Sequence, residues 1–218
     1  DIHKDKISIP KKDKPDMLLH LAWSGLPNYS SDSHLEQNLV GEKFFLESMI
    51  DLGIKTILVT GTCFEFGYKN GPLSPSTKTD PQNPYAKAKD SLRIWLQEKQ
   101  KLNDFSLKWV RLFYMYGSGQ NPNSILSQLE KAINRKEKIF NMSGGEQIRD
   151  YLPVNTVAKE LIKTLINDKK KGILHICSGQ PISIRRLVEE HREKMKSSIK
   201  LKLGYYPYSK HEPFAFWG

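Results

Sequence analysis

The sequence has no long hydrophobic run and only two cysteines. Its longest apolar stretches, at residues 18–23 and 57–59, are far shorter than the roughly 20 residues of a membrane-spanning helix. Cys63 and Cys177 lie far apart, and the charged first residues lack the apolar centre of a secretion signal. We therefore expect two thiols rather than a disulfide, no membrane segment and a cytoplasmic location.

Positive charge exceeds negative charge, with a formal net charge of +10. The lysines cluster at residues 4–14, 169–171 and 194–202, without interleaved aromatic residues or a nucleic-acid-binding motif. This pattern predicts a solvated surface and no nucleic-acid partner. A positive field would also favour an anionic small ligand such as a nucleotide diphosphate. The sequence contains no metal-binding pattern, so no metal site is expected.

Short apolar runs alternate with longer amphipathic segments, which predicts an α/β fold around a parallel sheet. Strands are predicted at residues 17–22, 55–60, 107–113, 138–142 and 173–176, and helices at 33–52, 85–100, 123–135, 154–167 and 183–196. Residues 64–84 are predicted as a loop. We expect residues 1–120 to form the sheet domain, and 121–218 to form mainly a smaller lobe with some segments returning to the sheet.

Tyr85 and Lys89 are four residues apart in a predicted helix, which places both side chains on one face. A tyrosine hydroxyl has a pKa of about 10 and becomes a useful base only where a positive charge favours the phenolate. Lys89 can supply that charge, and Thr62, at the end of the preceding strand, can orient an alcohol or carbonyl. By itself a Tyr-x-x-x-Lys pair is weak evidence, because chance produces it in lysine-rich helices.

The surrounding motifs make the pair more specific. Val-Thr-Gly-Thr-Cys-Phe-Glu-Phe-Gly at 59–67 precedes Asn-Pro-Tyr-Ala-Lys-Ala-Lys at 83–89, and Arg-Asp-Tyr-Leu-Pro-Val follows at 149–154. With His-Leu-Ala-Trp at 20–23 and Cys-Ser-Gly at 177–179, this order resembles the extended short-chain dehydrogenase/reductase family. Four segments are similar to its subgroup of dTDP-6-deoxy-L-talose 4-dehydrogenases and related 4-keto-6-deoxyhexose reductases. They are Gly-Thr-Cys-Phe-Glu-Phe-Gly at 61–67, Phe-Tyr-Met-Tyr-Gly at 113–117, Met-Ser-Gly-Gly-Glu-Gln-Ile-Arg-Asp-Tyr-Leu-Pro at 142–153 and the closing Glu-Pro-Phe-Ala-Phe-Trp-Gly at 212–218.

The resemblance implies a Rossmann-like, doubly wound parallel sheet and hydride transfer between NAD or NADP and C4 of a dTDP-linked 6-deoxyhexose or another nucleotide sugar. Such a reaction belongs to the synthesis of surface-polysaccharide sugars, and the resemblance is compatible with a homodimer. Tyr85 would be the acid/base, Lys89 would lower its pKa and hold the nicotinamide ribose, and Thr62 would bond the C4 oxygen. The cofactor-binding positions implied are Asp1, Ile2, Leu21, Ala22, Trp23, Thr60, Tyr85, Lys89 and Phe113. The substrate-binding positions implied are Cys63, Tyr114, Ser124, Met142, Arg149 and Glu212.

The family offers three alternatives to a C4 oxidoreductase. A 4,6-dehydratase normally carries Asp-Glu directly after the catalytic Thr, where this chain has Cys63-Phe64, so dehydration is disfavoured. A nucleotide-sugar 4-epimerase needs little beyond the same three residues and stays open. A family member that binds a nucleotide sugar or a partner without turnover also stays open.

The family's Gly-x-x-Gly-x-x-Gly fingerprint does not occur in the sequence. Those glycines let the backbone approach a pyrophosphate at a helix N-terminus. Asp1-Ile2 resembles the pair that follows the family's third strand. We therefore expect the first three strand-helix units, about 60 residues, to lie upstream of the given sequence.

Overall fold

The computed structural model describes residues 9–10, 13–209 and 212–218. In chain order the strands are β1 (Met17–His20), β2 (Thr56–Thr62), β3 (Gly71–Pro72), β4 (Ser106–Leu112), β5 (Tyr114–Tyr116), β6 (Ile139–Asn141), β7 (Ile148–Arg149), β8 (Tyr151–Pro153), β9 (Gly172–Ile176), β10 (Ile182–Ser183), β11 (Lys200–Lys202) and β12 (Phe216–Trp217). The α-helices are α1 (Leu39–Asp51), α2 (Pro84–Leu102), α3 (Ile125–Asn134), α4 (Val154–Ile166) and α5 (Ile184–Lys194). A π-helical turn, His34–Asn38, leads into α1, and a 3₁₀ turn, Cys63–Phe66, follows β2.

The chain forms two compact units that interleave along the sequence. The first contains the residues up to Gly67, Ser74–Leu112 and Ala158–Ile176, and the second contains Tyr68–Leu73, Phe113–Val157 and the residues from Cys177 onward. The boundary predicted from the sequence lies at residue 120, with some later segments expected to return to the sheet. In the structure the change of unit comes at the end of β4, and the returning segment is the larger part of α4 with β9.

A four-stranded parallel sheet in the order β1-β2-β4-β9 organises the first unit. Alternate residues of a strand point to the same side of a sheet. On one side of this sheet, those residues pack against α1 and α2. The core on this face contains Ile57, Val59, Leu107 and Trp109 from the sheet, Phe45, Leu46, Met49 and Ile50 from α1, and Leu92 and Leu96 from α2. Lys108 points to the opposite face, where its ammonium donates to backbone carbonyls of Thr164, Leu165 and Asn167 at the end of α4. Helical segments therefore lie on both faces, as in a doubly wound sheet.

The second unit has its own apolar core between α3 and α5. This core contains Leu126, Leu129, Ala132, Phe140, Met142, Leu187, Val188 and Ile199. Four two-stranded pairings accompany it in the described residues: β3 with β12, β5 with β8, β6 with β11, and β7 with β10. The last pair is antiparallel and the other three are parallel.

The predicted α/β order agrees with the structure for every predicted helix and strand, with ends that differ by a few residues. Gly53 ends the first predicted helix with a positive φ of 77°, and its amide donates to the Ile50 carbonyl at 2.8 Å. The segment 64–84, predicted as a loop, contains some regular secondary structure, namely most of the 3₁₀ turn and β3. None of the helices in the described part of the chain is long and apolar enough to cross a bilayer.

Candidate active site

Tyr85 lies in the first turn of α2, the helix that follows β2 after the 3₁₀ turn and β3. The Asn83 side chain caps the helix by accepting the Ala86 amide at 2.8 Å, and Pro84 occupies the first helical position. The Tyr85 amide, which has no acceptor within the helix, donates to the Tyr29 carbonyl at 3.2 Å. Local capping therefore fixes the point from which the Tyr85 side chain enters the site.

Aromatic rings surround the Tyr85 side chain. The centres of the rings of Trp23, Tyr29, His34 and Phe64 lie 5.9, 5.4, 5.5 and 6.5 Å from the centre of the Tyr85 ring. Burial raises the pKa of the Tyr85 phenol well above its ordinary value, and a hydrogen bond with the Thr62 side chain works against this rise. Tyr85 is therefore held in its protonated form near neutral pH, which suits a proton donor.

Lys89 lies one turn further along α2 and is 2% exposed. Its ammonium donates to the Thr60 carbonyl at 2.9 Å and lies 4.0 Å from the centre of the Trp23 ring. Burial lowers the pKa of Lys89 to about 8, although the nearby Glu42 and Glu65 carboxylates oppose that change. The pKa of Tyr85 is raised rather than lowered, with burial of the phenol as the largest cause, and the effect of Lys89 on the phenol in the complex with the cofactor stays a prediction.

Thr62 is held in place by a buried carboxylate, Glu65. The Glu65 side chain accepts the Thr62 amide at 2.9 Å, Trp109 Nε1 at 3.0 Å and Arg111 Nε at 2.6 Å. Burial raises the pKa of Glu65, and the Arg111 guanidinium beside it opposes the rise. Thr62 Oγ1 in turn accepts the Phe64 amide at 3.2 Å, so Thr62 and Glu65 form a capping box around the 3₁₀ turn.

The cofactor positions named from the sequence have different environments. Thr60 is buried, Trp23 is half-buried, and Leu21 and Ala22 are exposed directly after β1. Phe113 belongs to the second unit, where it is buried near Phe216. The positions Asp1 and Ile2 lie outside the described residues.

The first unit offers donors that fit the ribose of a nicotinamide nucleotide. An ammonium has three N–H donors, and within the described residues the Lys89 ammonium donates one hydrogen bond, to the Thr60 carbonyl. Two donors therefore stay available for neighbouring hydroxyl acceptors, of the kind that a ribose presents. This donor set is compatible with the nicotinamide end of a dinucleotide.

In the second unit, Arg149 is nearly fully buried. Its guanidinium donates to the carbonyls of Ile148 and Phe214 and to Glu212 Oε2, at 2.9, 3.1 and 3.1 Å. It also lies 4.8 Å from the centre of the Phe216 ring. The structure thus joins Arg149 and Glu212, two positions named separately from the sequence. Both line a small pocket together with Gln147, Tyr208, Ser209, Pro213 and Phe214.

Asp150 explains why the Arg-Asp and Ser-Gly motifs occur together. Its two carboxylate oxygens accept the backbone amides of Ser178 and Gly179, at 2.6 and 2.9 Å. The Asp150 carbonyl accepts the Tyr114 amide at 3.1 Å, and the Tyr114 ring lies 5.2 Å from that of Tyr151. Asp150 therefore organises the backbone of the second unit beside Arg149.

Three other substrate positions named from the sequence have different environments. Met142 is buried in the apolar core of the second unit, so its side chain packs rather than faces a ligand. Ser124 precedes α3 and forms hydrogen bonds with Gln120 and Ser127. Cys63 is buried in the turn directly after Thr62.

Several residues of the site were not predicted from the sequence. Tyr29, His34 and Phe64 contact Tyr85 through their rings, and no local pattern in the sequence indicates this. Glu65 could have been found, because Thr-x-x-Glu is the pattern of a capping box.

Comparison with known proteins supports the reading of these motifs. The NAD dependent epimerase/dehydratase family matches residues 3–177. The chain belongs to this family.

Two relatives within the NAD dependent epimerase/dehydratase family come from Aggregatibacter actinomycetemcomitans. A dTDP-6-deoxy-L-talose 4-dehydrogenase (NAD(+)) is 35% identical over 202 residues, which cover 92% of this chain and 74% of the relative. A GDP-6-deoxy-D-talose 4-dehydrogenase is 26% identical over 186 residues, which cover 84% of this chain and 63% of the relative. The resemblance drawn from the motifs is thereby confirmed.

A solved structure confirms the fold class. The UDP-N-acetylglucosamine 4-epimerase from Methanobrevibacter ruminantium M1 matches with a TM-score of 0.81 and 24% identity, covering 94% of this chain and 69% of that chain. The sheet and helices described above therefore belong to a Rossmann-like member of the NAD dependent epimerase/dehydratase family. The chain spans about two thirds of this epimerase's length.

Proposed function

We propose that the protein is an NAD- or NADP-dependent oxidoreductase that acts at C4 of a nucleotide-linked 6-deoxyhexose. The observation that carries this proposal is the arrangement of Thr62, Tyr85 and Lys89 in one buried cluster of the first unit. Two relatives in the family are 6-deoxytalose 4-dehydrogenases, one linked to dTDP and one to GDP. The higher identity to the first supports dTDP as the nucleotide.

The residues act most directly in the direction of 4-keto reduction. The bound nicotinamide would supply the hydride to the C4 carbon. Tyr85 gives its proton to the C4 oxygen as negative charge develops there, because burial keeps the phenol protonated. Thr62 orients the same oxygen through its hydroxyl, and Lys89 holds ribose hydroxyls with its two available N–H donors.

Arg149 is proposed to bind the substrate diphosphate. Its guanidinium is already paired with Glu212, whose side chain is 55% exposed and can move aside. A planar guanidinium matches phosphate oxygens in the same forked geometry that it uses for a carboxylate. Tyr114 and Ser124, in the same unit, are proposed as further contacts to the substrate.

We also propose that the protein is a cytoplasmic homodimer. Val40 and Phe44 lie one turn apart on α1 and are 61% and 46% exposed, and Ile94 on α2 is 49% exposed. Such apolar side chains on neighbouring helices favour association with a second copy. The thiols of Cys63 and Cys177 suit a reducing compartment.

The test uses the full gene-encoded protein with NADH or NADPH and a dTDP-4-keto-6-deoxyhexose, and follows the loss of reduced-cofactor absorbance. Tyr85→Phe should lower kcat by about 10²–10⁴-fold, because only the proton donor is removed. The matched control is Tyr68→Phe, at a half-exposed tyrosine, and its kcat should equal that of the wild type. Wild-type turnover by Tyr85→Phe would contradict the assignment. Interconversion of C4 epimers without net cofactor reduction, when the matching 4-hydroxy nucleotide sugar is supplied with the oxidised cofactor, would favour a 4-epimerase.

A further inference from the structure

His34 lies at the centre of a buried hydrogen-bond network beside Tyr85. Its side chain is fully buried, and its Nε2 atom lies 2.8 Å from the Asn28 carbonyl oxygen. Its Nδ1 atom lies 3.1 Å from Trp23 Nε1 and 3.1 Å from Asn38 Nδ2. Because indole and amide N–H groups only donate, Nδ1 must accept and Nε2 must carry the proton. The network therefore holds His34 as the neutral Nε2–H tautomer.

The same network fixes the loop that presents Trp23. Asn38 donates to the Ser24 carbonyl at 2.9 Å and accepts the Ser24 hydroxyl at 2.8 Å. The chain directly after Trp23 is thus held at Ser24, and the Trp23 indole is held by the bond to His34. The indole lies 4.0 Å from the Lys89 ammonium and meets the Tyr85 ring edge-on.

We propose that His34 is a positioning residue: by accepting the Trp23 N–H, it holds the indole against Lys89 and so keeps Lys89 charged and in place. This inference rests on the proposed oxidoreductase function. Its physical basis, the contact from His34 through Trp23 to Lys89, can also be measured without turnover.

The charged groups around Lys89 set the size of the expected effect. Burial lowers the pKa of Lys89 to about 8, while Glu42 on α1 and Glu65 in the 3₁₀ turn raise it. Glu42 is itself hydrogen-bonded to His20 at the end of β1, and Tyr85 is the titratable neighbour on α2. These groups stay in place when the indole is released. Loss of a desolvated cation–π contact should then lower the pKa of Lys89 by roughly one unit.

The experiment compares His34→Phe, Trp23→Phe and the double variant in the full gene-encoded protein. Two quantities are measured: the alkaline limb of kcat/KM against pH, and the pH titration of the Trp23 indole N–H signal in NMR spectra without substrate. The Trp23 signal is assigned by its loss in Trp23→Phe. In the wild type, the alkaline limb and the indole signal should both report the titration of Lys89 near pH 8. His34→Phe should move the limb and the indole titration to lower pH by roughly one unit.

The double variant and a conservative variant separate positioning from packing. If His34 acts through Trp23, the double variant shifts the limb no further than Trp23→Phe alone. His34→Gln, whose amide oxygen can accept the Trp23 N–H, should restore most of the wild-type limb. The proposal would be overturned if His34→Phe lowered only kcat or the melting temperature and moved neither the alkaline limb nor the indole titration. Additive shifts of the limb in the double variant would also overturn it. If the wild type shows no turnover, the oxidoreductase proposal fails. The indole titration alone then decides whether His34 holds Trp23 against Lys89.

Discussion

Lys89 places a positive charge where water is largely excluded. The folded-state pKa is lowered from the ordinary 10.5 to about 8, so the folded protein resists charging this group. Between these two pH values the unfolded chain binds more protons than the folded chain. The contribution of Lys89 to the free energy of unfolding therefore rises as pH increases through this window, by about 3 kcal/mol in total.

Lys89→Met should consequently separate stability from activity. At neutral pH the variant should be at least as stable as the wild type in urea unfolding, and this advantage should shrink as the pH rises from about 8 towards 10.5. Its kcat/KM should fall by at least about 10²-fold, because the cofactor ribose loses its donor. Lys87→Met, at an exposed lysine on the same helix, should change neither quantity. A less stable Lys89→Met with normal kcat/KM would contradict the proposed role.

Gly61 lies where β2 passes closest to the Glu65 network. A Cβ atom at this position would lie 2.3 Å from Trp109 Nε1 and 2.5 Å from Glu65 Oε1, and both side chains are buried. Gly61→Ala should therefore displace Glu65, release the Thr62 amide and lower both melting temperature and kcat. Gly172→Ala is the control, since a Cβ atom there would meet nothing within 4 Å. This substitution costs only about 1–2 kcal/mol of unfolding free energy, from strain in the left-handed backbone. Unchanged kcat in Gly61→Ala would show that Thr62 does not need this support.

Helix α2 carries two of the three proposed catalytic residues, so its first turn determines their position. Removing the cap with Asn83→Ala should cost about 1 kcal/mol of unfolding free energy and also lower kcat, because Tyr85 lies in the turn that frays. Asn83→Ser should keep the unfolding free energy and kcat near their wild-type values, because serine also caps a helix. Asn103→Ala removes a side-chain bond to the Lys99 carbonyl at the other end of α2 and should affect stability alone. Equal losses of kcat in Asn83→Ala and Asn103→Ala would indicate a general effect of helix stability.

The elements of the first unit were predictable because each has a local signature. α2 combines Asn83, Pro84 and a long amphipathic stretch, and β2 contains the short apolar run Ile57–Val59. The short strands β3, β5, β7, β8, β10, β11 and β12 had no comparable signal, since two or three residues contain no period. Their pairing depends on partners distant in the sequence, such as β3 with β12.

For the whole molecule, the exposed apolar residues of α1 and α2 make the homodimer testable. Phe44→Asp should shift the protein towards the monomer in sedimentation velocity experiments, because a charge at a buried contact is costly. Leu102→Asp is the matched control, since Leu102 is 82% exposed at the end of α2 and is not one of the three residues of the proposed interface. A wild-type protein that is monomeric at micromolar concentration, or a Phe44→Asp variant that stays dimeric, would contradict this interface.

The order and type of the elements, the Tyr85–Lys89 pair on one helix face and membership of the family follow from the sequence, because periodicity, capping and motifs are local properties. Only the tertiary structure decides which residues enclose the site. Tyr29, His34 and Trp23 reach Tyr85 and Lys89 from the segment between β1 and α1, which is distant along the chain. The raised pKa of Tyr85 and the lowered pKa of Lys89 likewise depend on burial by such distant neighbours, which a local pattern does not determine.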